Sequence, residues 1–154
     1  MGLNQSKKAK TYFQKLTKGG PYGRLNDTGE QYLICLMVGL INEERIADVG
    51  PKVEIMVRGW TDAVKGNKSL ILGSTIATEV KRKSLPTDKD RYREFMLRTL
   101  SGEEGLFNLT SEGADMLDQY AEGGFRLIKD TMPEPSELDT FLYNIYENFL
   151  ISEL

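Results

Sequence analysis

Asp115 and Asp118 stand one helical turn apart in the acidic last third of the chain, a spacing that binds magnesium when further oxygen ligands converge on it. No motif supplies those ligands, and the pair is expected to be ordinary surface acid. The stretch Gly19-Gly20-Pro21-Tyr22-Gly23 is rich in glycine but lacks the Lys-Ser/Thr ending of a phosphate-binding loop and has no strand before it, so a turn is the better reading. Histidine does not occur at all. It is the usual general base near neutral pH and the commonest metal ligand, and its absence removes Ser-His-Asp, Cys-His and zinc-hydrolase mechanisms together. The one cysteine, Cys35, lies in an apolar run with no second thiol to pair with, which excludes an internal disulfide and a thiolate zinc site. Carboxylate-only, lysine Schiff-base and magnesium chemistry survive these exclusions. The expectation is no catalytic residue, no cofactor and no metal: a protein that works by binding.

Charge is the stronger functional signal. Residues 1–26 carry six basic side chains, Lys7, Lys8, Lys10, Lys15, Lys18 and Arg24, and no acidic one, whereas residues 101–154 carry two basic against twelve acidic. Opposite ends of this kind steer charged partners, join copies head to tail, or keep a protein in solution. A second basic concentration, Lys65 to Arg98, includes the triplet Lys81-Arg82-Lys83. With Lys7, Lys8 and Lys10 the triplet forms the candidate nucleic-acid contact, since such residues can track a phosphate backbone. Trp60 and Tyr92 lie nearby. The competing account is structural: positive charge at a helix C-terminus complements the helix dipole. The opening Met1-Gly2-Leu3-Asn4-Gln5-Ser6 fits the N-myristoylation pattern, with lysines following as an electrostatic membrane signal; without that modification no membrane contact is expected.

The elements that position these groups read mostly as helices. Asn4 to Lys18 is polar and lysine-rich, expected to contribute little to a core, and Gly19-Gly20-Pro21 ends it. Asp27 and Glu30 form a capping box ahead of Tyr32, Leu33, Leu36, Met37, Leu40 and Ile41, apolar nearly all round as in a buried central helix. Val53, Ile55 and Val57 alternate as in a strand, although one or two helical turns fit the same short stretch. Ser69 to Lys83 and Thr87 to Leu100 are amphipathic helices. Thr110 or Ser111 caps a long helix interrupted by Gly123-Gly124, a pair that implies a kink or a close helix contact. Ser136 is expected to cap the last helix, with Leu138, Phe141, Leu142, Ile145 and Phe149 as its apolar stripe, and Tyr143 and Tyr146 off that stripe where they would suit a protein interface. The fold expected is all-α, a compact bundle of about six helices with room for one short strand segment near residues 53–58. Residues 1–24 form a basic N-terminal segment and residues 25–154 a single helical domain. The longest apolar run, Tyr32 to Ile41, is too short to cross a bilayer, and the expected location is cytoplasmic.

Two stretches carry a resemblance. Gly23 to Arg45, with Leu25, Leu36, Gly39 and Leu40, resembles the first buried helix of a small family of accessory proteins encoded beside bacterial DNA phosphorothioation genes. Tyr120-Ala121-Glu122-Gly123-Gly124-Phe125, followed by Leu127 and Ile128, is similar to that family's Tyr-Ala-Asn-Gly-Gly-Leu helix, departing from it at Glu122. Ser69 to Ala77 lies between them in the expected order. The resemblance implies a non-enzymatic accessory or assembly subunit of an antiphage defence locus, with larger protein subunits of that locus as partners, DNA as a further contact, and a homo-oligomer left open. It carries over no catalytic residue. It makes Tyr120, Gly123 and Gly124 a candidate helix-contact motif, since paired glycines let another helix approach closely.

Overall fold

A computed structural model describes residues 3–18, 23–25, 28–56, 66–83, 89–101 and 108–151. Strand β1, Leu3–Ser6, leads into two short helices, α1 (Lys7–Tyr12) and α2 (Gln14–Thr17). Ser6 starts α1 because its hydroxyl accepts from the Ala9 amide at 3.2 Å, one of the amides that have no partner inside a helix. Helix α3, Thr28–Ile41, is followed by strand β2, Lys52–Met56, and then by α4 (Lys68–Arg82) and α5 (Lys89–Thr99). A minimal hairpin, β3 (Leu100–Ser101) with β4 (Asn108–Leu109), precedes the long α6 (Ser111–Thr131) and the last helix α7 (Leu138–Ile145), which continues as a π-helical turn over Tyr146–Leu150. The protein is mostly α-helical, as its patterning implies.

Helices α3 and α6 make the principal pair, and the core forms around them. The alternation at Val53 and Ile55 resolves as strand, because β2 has a partner: β1 pairs with it antiparallel, Ser6 opposite Lys52 and Gln5 opposite Val53. Val57 to Trp60 lie outside the described residues. So do Asp27 of the expected capping box and Thr87-Asp88, while nothing is described of the Tyr92 side chain.

Four expectations about these elements are corrected. The N-terminal stretch is not peripheral to the core. Ala9, Tyr12, Phe13 and Leu16 are buried, and Phe13 packs edge-on against Phe141 with ring centroids 5.6 Å apart. Apolar side chains one turn apart among lysines give a short amphipathic helix, and the charge of the lysines hid them. Gly123-Gly124 does not interrupt α6, which runs unbroken from Ser111 to Thr131. The last helix begins at Leu138 behind Glu137, without a side-chain cap from Ser136. Its apolar stripe is also narrower than expected: Phe141, Ile145 and Phe149 are buried, but Leu142 is 45% exposed. Helix α7 lies on the outside of the core, so the side that carries Leu142 stays in solvent.

Candidate functional site

Glycines decide how α3 and α6 meet. A Cβ on Gly124 would stand 1.7 Å from the carbonyl oxygen of Cys35, and one on Gly39 would stand 2.0 Å from that of Tyr120. On Gly123 it would stand 2.1 Å from the carbonyl oxygen of Glu44. None of these contacts is with a side chain that could turn aside; each is backbone on backbone. Of the two readings of the glycine pair, the structure supplies the close contact, Gly124 against α3 and Gly123 against the turn that follows it. Tyr120 sits at the same seam, fully buried, its hydroxyl donating to Glu79 Oε1 at 3.0 Å. Burial, and then the Glu79 carboxylate beside it, push the Tyr120 phenol well above its ordinary range. The motif is therefore placed in the interior, where it sets the distance between two helices.

The basic triplet ends α4 as expected, but it is not a row of free cations. Glu79, fully buried one turn earlier, holds Arg82 at 3.0 Å and Lys83 at 3.9 Å, and also pairs with Arg45. Lys81 reaches across to Glu43 at 2.7 Å. Arg98 pairs with Glu112 and Arg126 with Glu122. A carboxylate buried alone would pay several kcal/mol in lost hydration, and the surrounding guanidinium groups, ammonium group and phenol are what allow Glu79 to lie there. The periodicity of α4 shows Glu79 among apolar neighbours, which is the signal that could have found it.

Asp118 is not surface acid. It is 1% exposed and accepts three hydrogen bonds: from the Asn4 amide at 3.0 Å, from Asn4 Nδ2 at 3.2 Å and from the Tyr32 hydroxyl at 2.8 Å. Burial raises its pKa, and those three donors oppose the rise without cancelling it. Asp115 points to solvent, so the two do not converge. Among the described residues, no cluster of three or more aspartate, glutamate or cysteine side chains is placed to hold a metal. Gln5 Oε1 is buried without a hydrogen-bond partner, and Gln5, Asp118, Cys35 and Glu122 line a small space of about 10 Å³. That volume admits one water molecule and nothing larger, which excludes it as a substrate pocket. Burial raises the Cys35 thiol far above its ordinary range, so the thiolate needed for nucleophilic work is suppressed.

The remaining sequence candidates divide by location. Lys7, Lys8 and Lys10 are exposed on α1, and Lys7 and Lys8 border an open groove completed by Lys129 of α6. They lie on a different element from the triplet at the end of α4. Leu3, behind the candidate lipidation site, is buried in β1, and Gly2 lies outside the described residues. On α7 and the turn after it, Leu142, Tyr143, Tyr146 and Ile151 are 45%, 62%, 42% and 43% exposed. Among the described residues no helix is long and apolar enough to cross a membrane. No family model, curated protein or solved structure matches this chain.

Proposed function

We propose that this protein is a non-enzymatic accessory subunit that docks a larger protein through the outer face of α7, in the setting its resemblance implies, a DNA-modification-linked defence assembly. The observation that carries the proposal is the exposure of Leu142, Tyr143, Tyr146 and Ile151 along one helix and its final turn. Tyrosine offers a large contact area with few rotors to freeze, and aromatic residues are enriched at the centres of interfaces. The rim of this face is acidic: Asp139 and Glu147 are exposed on it, and no lysine or arginine occurs after Lys129. The occupant that fits is an apolar segment flanked by lysine or arginine, drawn in by charge and held by burial.

Ion pairing of Lys81, Arg82 and Lys83 with Glu79 and Glu43 lowers the charge they offer a phosphate backbone without cancelling it, which weakens the case for DNA as the primary partner. The test is affinity capture of the tagged protein from its native cells, with and without nuclease, followed by mass spectrometry. Nuclease-resistant recovery of the locus's larger subunits is expected, falling at least tenfold with the triple substitution Leu142→Ser, Tyr143→Ser, Tyr146→Ser. Recovery of DNA and its companions alone, lost on nuclease treatment, would replace this reading with nucleic-acid binding. A protein that stays monomeric and retains nothing would end it.

A further inference from the structure

The structure sorts the basic side chains into two sets. Lys81, Arg82 and Lys83 at the end of α4, with Arg98 and Arg126, are ion-paired to carboxylates within the fold. Among the described residues, no carboxylate lies within ion-pair distance of the ammonium groups of Lys7, Lys8 or Lys129. These three come from α1 and α6, more than a hundred residues apart in sequence, yet they border a single open groove of about 430 Å³. Groove size falls in the range of small-ligand sites, roughly 300–1,000 Å³.

The floor of the groove is built rather than incidental. Tyr12 and Phe125 line it, both nearly fully buried, in edge-on contact with centroids 5.5 Å apart. The Tyr12 hydroxyl donates to the Pro133 carbonyl oxygen at 3.0 Å, with the Met132 carbonyl at 3.3 Å, which fixes the ring. The Thr11 hydroxyl donates to the Lys7 carbonyl oxygen, and Glu134 closes one side with an exposed carboxylate.

We propose that this groove binds a small phosphorylated ligand of mononucleotide size, with its phosphate on Lys7, Lys8 and Lys129 and a hydroxyl or amino group donating to Glu134. Three cations and one anion in the same groove leave it positive, while the carboxylate demands a donor that a bare phosphate does not carry. Tyr12 and Phe125, nearly fully buried, hold α1 against α6 beneath the groove and leave a ligand little ring surface, so recognition rests on the charged groups. A nucleic-acid strand fits these features less well: Glu134 would repel a continuous line of phosphates, and the whole chain carries a net charge of -3, which opposes a polyanion at long range. The proposal is independent of the docking face on α7.

The experiment is a titration of the full chain with adenosine 5′-monophosphate, followed by ¹H–¹⁵N correlation spectra, with adenosine in parallel and a fluorescent single-stranded oligonucleotide followed by anisotropy. Saturable shifts at the amides of Lys7, Lys8, Thr11 and Lys129 are expected with the monophosphate and not with adenosine. The double substitution Lys7→Gln, Lys8→Gln should weaken binding by about tenfold, and so should pairing either change with Lys129→Gln. Lys15→Gln removes an exposed charge of α2 outside the groove and should leave the affinity within about twofold. No saturable shift, or equal weakening by Lys15→Gln, would overturn the proposal. An oligonucleotide that binds more tightly than the monophosphate and depends on Lys10, Lys15 and Lys18 as well would replace it with a strand-tracking surface.

Discussion

At the scale of single residues, the glycine pair is where chemistry and packing were hardest to separate by reading alone. A glycine in a helix interior costs about 1 kcal/mol against alanine, so two in succession signal a reason without saying which. The reason is the carbonyl oxygen of Cys35, 1.7 Å from where a Cβ on Gly124 would stand. Gly124→Ala would have to push α3 and α6 apart along their whole contact, and is expected to lower stability by about 3 kcal/mol or more. Gly73, on the exposed side of α4, has nothing within 4 Å of its would-be Cβ, so Gly73→Ala is expected to raise stability by about 0.5–1 kcal/mol. Urea denaturation of the two variants checks both signs; similar effects in the same direction would refute the steric account. Gly39, Tyr120 and Gly124 lie at this seam, and Gly123 packs against the Glu44 backbone in the turn after α3. Their role in this chain is to set a distance between helices, so what they convey is architecture more than activity.

Elements were legible where periodicity alone sufficed and illegible where a partner far along the chain decides. Helices α3, α4 and α6 follow from apolar spacing and, for α6, from the Thr110 hydroxyl accepting from the Gly113 amide. Strand β1 could not be read in this way, because its partner lies some fifty residues on in β2 and its own four residues alternate too briefly to show a period. What ties β1 inward is a clasp of three elements at one carboxylate: Asn4 of β1 and Tyr32 of α3 both donate to Asp118 of α6. A burial-raised carboxyl has a definite consequence for pH. The folded state holds the Asp118 proton to higher pH than the unfolded chain does, so this contribution to stability is full below the ordinary carboxylate pKa and is lost as pH rises through the raised folded value. Asp118→Asn removes the titration. Its unfolding free energy, measured against the parent from pH 3 upward by urea denaturation, should therefore fall less steeply with rising pH in the acid range. A parent and variant with parallel profiles would show that the three donors fully offset burial.

On the scale of the whole molecule, the charge map and the core map disagree about where the protein begins. Charge marks residues 1–24 as a basic segment ahead of a helical domain. Burial instead places Leu3, Ala9, Tyr12, Phe13 and Leu16 in the core, with Phe13 between the rings of Tyr12, Phe125 and Phe141 and the Tyr12 hydroxyl on the backbone that leads to α7. Losing one buried phenylalanine to alanine typically costs about 3–5 kcal/mol, while a whole domain is stable by only about 5–15 kcal/mol. Deleting residues 1–18 removes five core side chains and one of the two strands of the β1–β2 pair, so the shortened chain is expected to lose its cooperative thermal transition and to bind a hydrophobic dye. It would also shed Lys7 and Lys8 from the groove while leaving the outer face of α7 in the sequence, which makes the point substitutions, not the deletion, the proper probes of binding. A shortened chain that still unfolded in one sharp step near the parent's temperature would mean that residues 19–154 stand alone and that the N-terminal packing is an addition to a finished core.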